Sequence, residues 1–273
     1  MVDKLVNADW VAAHLNDPEV RLVEVDVDTE AYAQGHIEGA VGWNWTTQLQ
    51  DQRRRDILSK EAIEELLAAS GVGSDTHVVL YGDNNNWFAA YALWLLELYG
   101  HENASLMDGG RVKWLAESRP TTTTAPQVPR ASYSASDADP ALRAKRDDVL
   151  GAVTAGMQLV DVRSPAEFSG EVIAPPGMSE SAQRGGHIPG AKSIPWARAV
   201  NEDGTFRAAD ELRQLYGDAG VRDGDSTIVY CRIGERSSHT WFVMKHLLGY
   251  GDVRNYDGSW TEYGSLIDVP IER

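Results

Sequence analysis

The chain has 273 residues, of which 42% are hydrophobic and 24% charged, the balance of a soluble globular protein with a real core. Its 25 basic against 41 acidic side chains leave a net charge of −16, which excludes a general nucleic-acid binder and a polybasic membrane anchor but not a small anionic substrate held by a local cluster of arginines. The single cysteine, Cys231, excludes an intramolecular disulfide and a multi-cysteine metal site.

The opening MVDKLVNADWVAAHL has no basic stretch leading into an apolar run, and no segment approaches 18 consecutive apolar residues. A cytoplasmic location without membrane attachment is expected. In chain order, RLVEVD (21–26) and HVVLYG (77–82) are short β-branched runs that predict buried parallel strands. Between them KEAIEELLAASGV (60–72) predicts a helix closed by a glycine after its last turn. Trp87, Ala90, Tyr91, Trp94, Leu95 and Leu98 recur at helical spacing. The stretch RPTTTTAPQVPRASYSAS (119–136) has no periodicity and several prolines, and predicts an extended linker, placed at 121–145. Beyond it come a strand at QLVDVR (158–163), a Pro-, Gly- and Ser-rich loop at 169–185, a helix at ADELRQLYGDAGV (209–221), a strand at STIVYC (226–231) and a helix within SSHTWFVMKHLL (237–248).

The chain repeats itself. GHIEGA (35–40) returns as GHIPGA (186–191), and LVEVD (22–26) as LVDVR (159–163). VVLYG (78–82) lies over TIVYC (227–231), and LMDGG (106–110) over NYDGS (255–259). Four patches in one order, about 150 residues apart, predict a duplicated domain. The two copies are expected at 1–120 and 146–273, each an α/β unit with a mainly parallel sheet flanked by helices. In such sheets ligands sit at the carboxyl ends of the strands, against helix N-termini. The loop at 169–185 carries an insertion special to the second copy.

Cys231 ends the strand STIVY and stands where a loop opens a helix. Backbone N–H groups there lack intrahelical partners, and the helix dipole favours negative charge. Gly234 allows the tight turn, Arg232 and Arg236 add positive charge, and Ser237 and Ser238 are candidate helix caps. The expectation is a reactive thiolate with a lowered pKa. The matching stretch of the first copy, GDNNNWF (82–88), has neither cysteine nor arginine, so chemistry is expected in the second copy alone.

CRIGERS, the paired GHI-x-GA patches and DVRSPAEF resemble the rhodanese family, and the tandem arrangement with one cysteine is similar to its two-domain thiosulfate sulfurtransferases. The resemblance covers nearly the whole chain. It implies two rhodanese-like domains and a persulfide on Cys231. It also implies transfer of sulfane sulfur from thiosulfate to cyanide or another thiophilic acceptor, a thiol or protein among them, with release of sulfite. The loop residues Arg232, Ile233, Gly234, Glu235 and Arg236 are then the expected substrate binders, with Arg236 on the donor's sulfonate, and no cofactor or metal is called for. The four residues between Cys231 and Arg236 suit a single sulfur better than the five of related cysteine phosphatases suit phosphate. Arg232 departs from the small residues usual in mercaptopyruvate sulfurtransferases. That activity and a persulfide carrier for a protein acceptor stand as alternatives. Glu167 occupies a neighbourhood where some relatives supply a cation, and Arg184 is a weaker replacement for it. Asp161 and Arg163 are expected as a buried structural pair, and His187, matched by His36 in the cysteine-free copy, as scaffold.

Overall fold

The computed structural model describes residues 2–27, 29–175 and 181–273. The chain divides into two compact units. The first runs to Asp139 and takes in Glu202–Thr205; the second comprises Pro140–Asn201 and Phe206–Arg273.

In the first unit the strands are β1 (Leu5–Val6), β2 (Val20–Asp26), β3 (Val41–Asn44), β4 (His77–Tyr81) and β5 (Ala104–Met107). They form a parallel sheet in the order β1-β5-β4-β2-β3. Leu22, Val23, Val25 and Val78 to Tyr81 are buried, as strands covered on both faces require. The helix Lys60–Ala69 is capped by Ser59, whose hydroxyl accepts the Ala62 N–H, and it is closed by Gly71 at φ +68°. The helix Trp87–Leu98 is buried almost all round, which explains why its apolar residues exceed a single stripe.

The second unit repeats the plan with β6 (Gln158–Asp161), β7 (Lys192–Ser193), β8 (Thr227–Tyr230) and β9 (Val253–Tyr256), parallel throughout, in the order β7-β6-β8-β9. Where Leu5 pairs with Leu106 in the first sheet, Arg143 makes a parallel bridge to Asn255 in the second. The two units are therefore the same sheet built twice, flanked by helices.

The segment expected as a linker is extended, and its first part packs on the first unit. Thr122 exchanges backbone hydrogen bonds with His36, Ala131 N–H donates to Ala68, and Ser136 N–H donates to Tyr99. Of the inserted loop, residues 176–180 lie outside the described residues; 171–175 and 181–185 have no helix or strand. Among the described residues no helix is long and apolar enough to cross a membrane.

Candidate active site

Cys231 follows the last residue of β8 and is completely buried. The loop it opens is turned by Gly234 at φ +104°, where a Cβ would lie 2.9 Å from the Asp257 Cα, so only glycine fits. The helix Glu235–Phe242 starts directly after it.

Two neighbouring groups set the direction of the loop. The carbonyls of Cys231 and Arg232 accept the N–H groups of Trp260 and Thr261, 3.1 Å each, at the start of the helix Ser259–Tyr263. With these carbonyls turned outward, the Gly234 N–H donates to Cys231 Sγ at 3.2 Å. The Cys231 N–H itself donates to Ser259 Oγ at 3.1 Å, and Ser259 Oγ donates to the Tyr256 carbonyl at 2.7 Å. From β9, Asn255 Oδ1 accepts from Ser237 Oγ at 2.7 Å, and its Nδ2 donates to Ser238 Oγ at 2.9 Å. Asn255 and Ser259 bound the NYDGS patch that marks the repeat, but nothing in that patch points to the site, and their part in it emerges only from the packing of β9 and the turn after it.

The serine caps expected from the sequence are not caps. The helix begins two residues earlier, at Glu235, so Ser237 and Ser238 lie inside its first turn; Ser238 donates back to the Gly234 carbonyl at 2.7 Å, and Ser237 gives its proton to Asn255.

The expected lowering of the Cys231 pKa is also reversed. Burial pushes the thiol up from its ordinary value, and the Glu235 carboxylate pushes the same way; Arg236 and the Ser237 contacts oppose them without winning. Glu235 is 1% exposed, and its Oε2 accepts from Cys231 Sγ at 3.3 Å.

The two arginines of the loop face protein carboxylates. Arg236 makes a bidentate pair with Glu167, Nη1 to Oε2 at 2.9 Å and Nη2 to Oε1 at 3.0 Å. Its Nε lies 3.6 Å from Glu235 Oε1, and Arg232 Nη2 lies 3.9 Å from the same oxygen. Ile233 is buried in the loop. Glu167 is held in turn by the Ser164 N–H and hydroxyl at 3.0 and 2.9 Å, a capping box on the helix Pro165–Ser169.

The remaining candidates support the frame. Arg163 forms a buried pair with Asp161 at 2.6 to 3.1 Å, over the ring of Trp260. Arg184 donates to the backbone carbonyls of Gly264, Val269 and Leu266 at 2.9 to 3.2 Å and so is engaged by the C-terminal segment. His187 stacks on Phe168 as His36 stacks on Tyr32, and each ring's Nδ1 bonds the carbonyl of its stacking partner at 2.9 Å, the same scaffold in both units. His239 packs between Phe206 and Trp196, and burial lowers its pKa to about 3.

In the first unit Gly82 occupies the position of Cys231, and its carbonyl accepts the Arg111 N–H at 3.0 Å just as that of Cys231 accepts from Trp260. A Cβ at Gly82 would lie 2.2 Å from the Val25 carbonyl oxygen, so this loop has no room for a cysteine side chain.

A family model of the rhodanese-like domain matches residues 7–117 and 145–266. The chain belongs to the rhodanese family. Among rhodanese relatives, it is 59% identical to a "Putative thiosulfate sulfurtransferase" of Haloferax volcanii, over 99% of this chain and 96% of that one. It is 52% identical to the "Sulfur carrier protein TtuD" of Thermus thermophilus, over 98% and 96%. Among solved rhodanese folds, SseA from Escherichia coli, a 3-mercaptopyruvate sulfotransferase, superposes with a TM-score of 0.82 at 29% identity, covering 95% of this chain and 99% of that one.

Proposed function

We propose that this rhodanese is a thiosulfate sulfurtransferase. Cys231 attacks the outer sulfur of thiosulfate, sulfite leaves, and the sulfur is held as a Cys231 persulfide until a thiophilic acceptor removes it. Cyanide serves as a small acceptor, and a thiol or a protein acceptor uses the same persulfide.

One observation carries this reading: a fully buried thiol receives the Gly234 N–H at 3.2 Å inside a loop of four residues between Cys231 and Arg236. A donor already in place there meets negative charge developing on the terminal sulfur without reorganisation. Arg232 and Arg236 supply the positive field for an anionic donor, Arg236 through a guanidinium it shares with Glu167. The relatives' names support sulfur transfer as the class of reaction. The likeness to SseA makes mercaptopyruvate the competing donor, and the likeness to a sulfur carrier makes a protein the competing acceptor.

Intact-mass measurement after thiosulfate treatment is expected to show one added sulfur, about 32 Da, removed by cyanide and lacking in Cys231→Ser. Steady-state rates with thiosulfate and mercaptopyruvate side by side are expected to favour thiosulfate. No added mass on fully recovered protein overturns thiosulfate as the donor.

A further inference from the structure

Glu235 is the loop residue whose carboxylate touches the sulfur. Its Oε1 faces Arg236 Nε at 3.6 Å and Arg232 Nη2 at 3.9 Å, which leaves Oε2 turned onto Cys231 Sγ at 3.3 Å. The other carboxylates around the loop are engaged elsewhere, Glu167 by Arg236 and Asp257 by Arg143 at 2.8 Å. A carboxylate beside a buried sulfur favours the thiol over the thiolate. A thiol that attacks must then lose its proton as the new bond forms, and the acceptor in contact is Glu235 Oε2. We propose that Glu235 is the general base of sulfur loading, a catalytic role that rests on Cys231 being the sulfur acceptor.

In the loading step the Cys231 S–H bond breaks and its proton passes to Glu235 Oε2. The freed pair on Sγ forms the bond to the outer sulfur of thiosulfate, and the pair of the broken bond leaves with sulfite. Thiol, carboxylate and thiosulfate dianion become persulfide anion, carboxylic acid and sulfite dianion, so charge balances and no outside oxidant or reductant enters. The proton on Glu235 then faces the new persulfide, in place of a carboxylate that would repel it.

The test is single-turnover persulfide formation from thiosulfate between pH 6 and 9, followed by intact mass, in the wild type, Glu235→Gln and Glu235→Asp. With base and proton already paired, the wild-type rate is expected to vary less than about threefold between pH 6 and 8. Glu235→Gln is expected to be about tenfold or more slower at pH 7, to rise about tenfold per pH unit, and to approach the wild type at pH 9. Glu235→Asp is expected to keep the shallow profile at a reduced rate. A Glu235→Gln protein with the wild-type rate and profile overturns the proposal, as does a wild-type rate that itself climbs about tenfold per unit. Where Glu235→Gln does not fold, the solvent deuterium isotope effect on wild-type loading decides: about twofold or more supports proton transfer to Glu235, and an effect near one overturns it. A wild type that takes no sulfur from thiosulfate overturns the donor reading alone. Cys231 alkylation by iodoacetamide in the wild type and Glu235→Gln then decides on Glu235, a slower and steeper profile in Glu235→Gln supporting it and an unchanged rate and profile overturning it.

Discussion

Arg236 and Glu167 form a bidentate ion pair at 2.9 and 3.0 Å, with side chains 5% and 1% exposed. The guanidinium that the loop spacing offers to a substrate is thus held by a carboxylate from the helix Pro165–Ser169. This chain places the negative partner on that helix and the positive one in the loop.

Removing one partner strands the other. Arg236→Ala is expected to cost about 3–5 kcal/mol of stability in urea unfolding, over and above its effect on turnover. Replacing both residues by methionine is expected to recover much of that loss, because a well-packed apolar pair carries no desolvation penalty. A double variant as unstable as the single one contradicts this account.

Glu167 adds a pH dependence. Burial alone would raise its pKa, but Arg236 and Ser164 more than reverse this and hold the carboxyl below its ordinary value. Its contribution to stability is complete above the ordinary carboxylate pKa and is lost as pH falls through the depressed one. Glu167→Gln is expected to flatten the acid limb of Tm against pH while lowering Tm at pH 7, and an unchanged acid limb contradicts this.

Asp26 behaves in the opposite sense. It ends β2 at 1% exposure, and its Oδ1 accepts the Asp83 N–H at 2.8 Å. Burial first, and the charge of Glu24 after it, raise its pKa to about 7. The folded state therefore keeps a proton that the unfolded chain releases near pH 4, and stability falls as pH rises from there to about 7. An asparagine keeps the acceptor without the charge. Asp26→Asn is expected to gain about 1–2 kcal/mol at pH 8 and nothing at pH 4, read from urea unfolding at both.

Ser259 sits at φ +52°, the conformation Gly110 adopts at φ +53° in the first unit. Its hydroxyl is what justifies a non-glycine residue there, since it accepts the Cys231 N–H. Ser259→Ala leaves that buried donor unpaired and is expected to cost about 1–3 kcal/mol. Ser259→Gly loses the same bond but relieves the backbone, and is expected to be about 1 kcal/mol more stable than the alanine variant. Equal thermal stabilities would remove backbone strain from the explanation.

The first unit cannot be given a nucleophile by substitution at Gly82. Because a side chain there would place its Cβ 2.2 Å from the Val25 carbonyl oxygen, both Gly82→Ala and Gly82→Cys are expected to lower stability by about 1–3 kcal/mol or more. Gly82→Cys placed in a Cys231→Ser background is expected to take up no sulfur from thiosulfate by intact mass.

The duplication was legible because strand residues alternate between two buried faces and helices close on glycine, and these local demands left the same marks twice. Charge was harder to place. Glu24 and Asp161 occupy matching strand positions, but Glu24 is paired with Arg111 from the helix Gly110–Ala116 after β5, whereas Asp161 is paired with Arg163 two residues along its own chain. No local pattern says which element sends the cation. In the same way Arg236 read as positive charge beside Cys231, until folding set Glu167 against it from the helix Pro165–Ser169.

The order of residues by itself determined the repeated parallel sheets, the thiol at the end of β8 and the glycine turn after it, since each follows from periodicity or from what a neighbour along the backbone permits. Only the tertiary structure decided that this thiol is buried and faces a carboxylate. Burial depends on groups brought from distant segments, as does the pairing of Arg236 with Glu167, and the sequence places Glu235 only four residues from the thiol without saying that its carboxylate turns onto the sulfur.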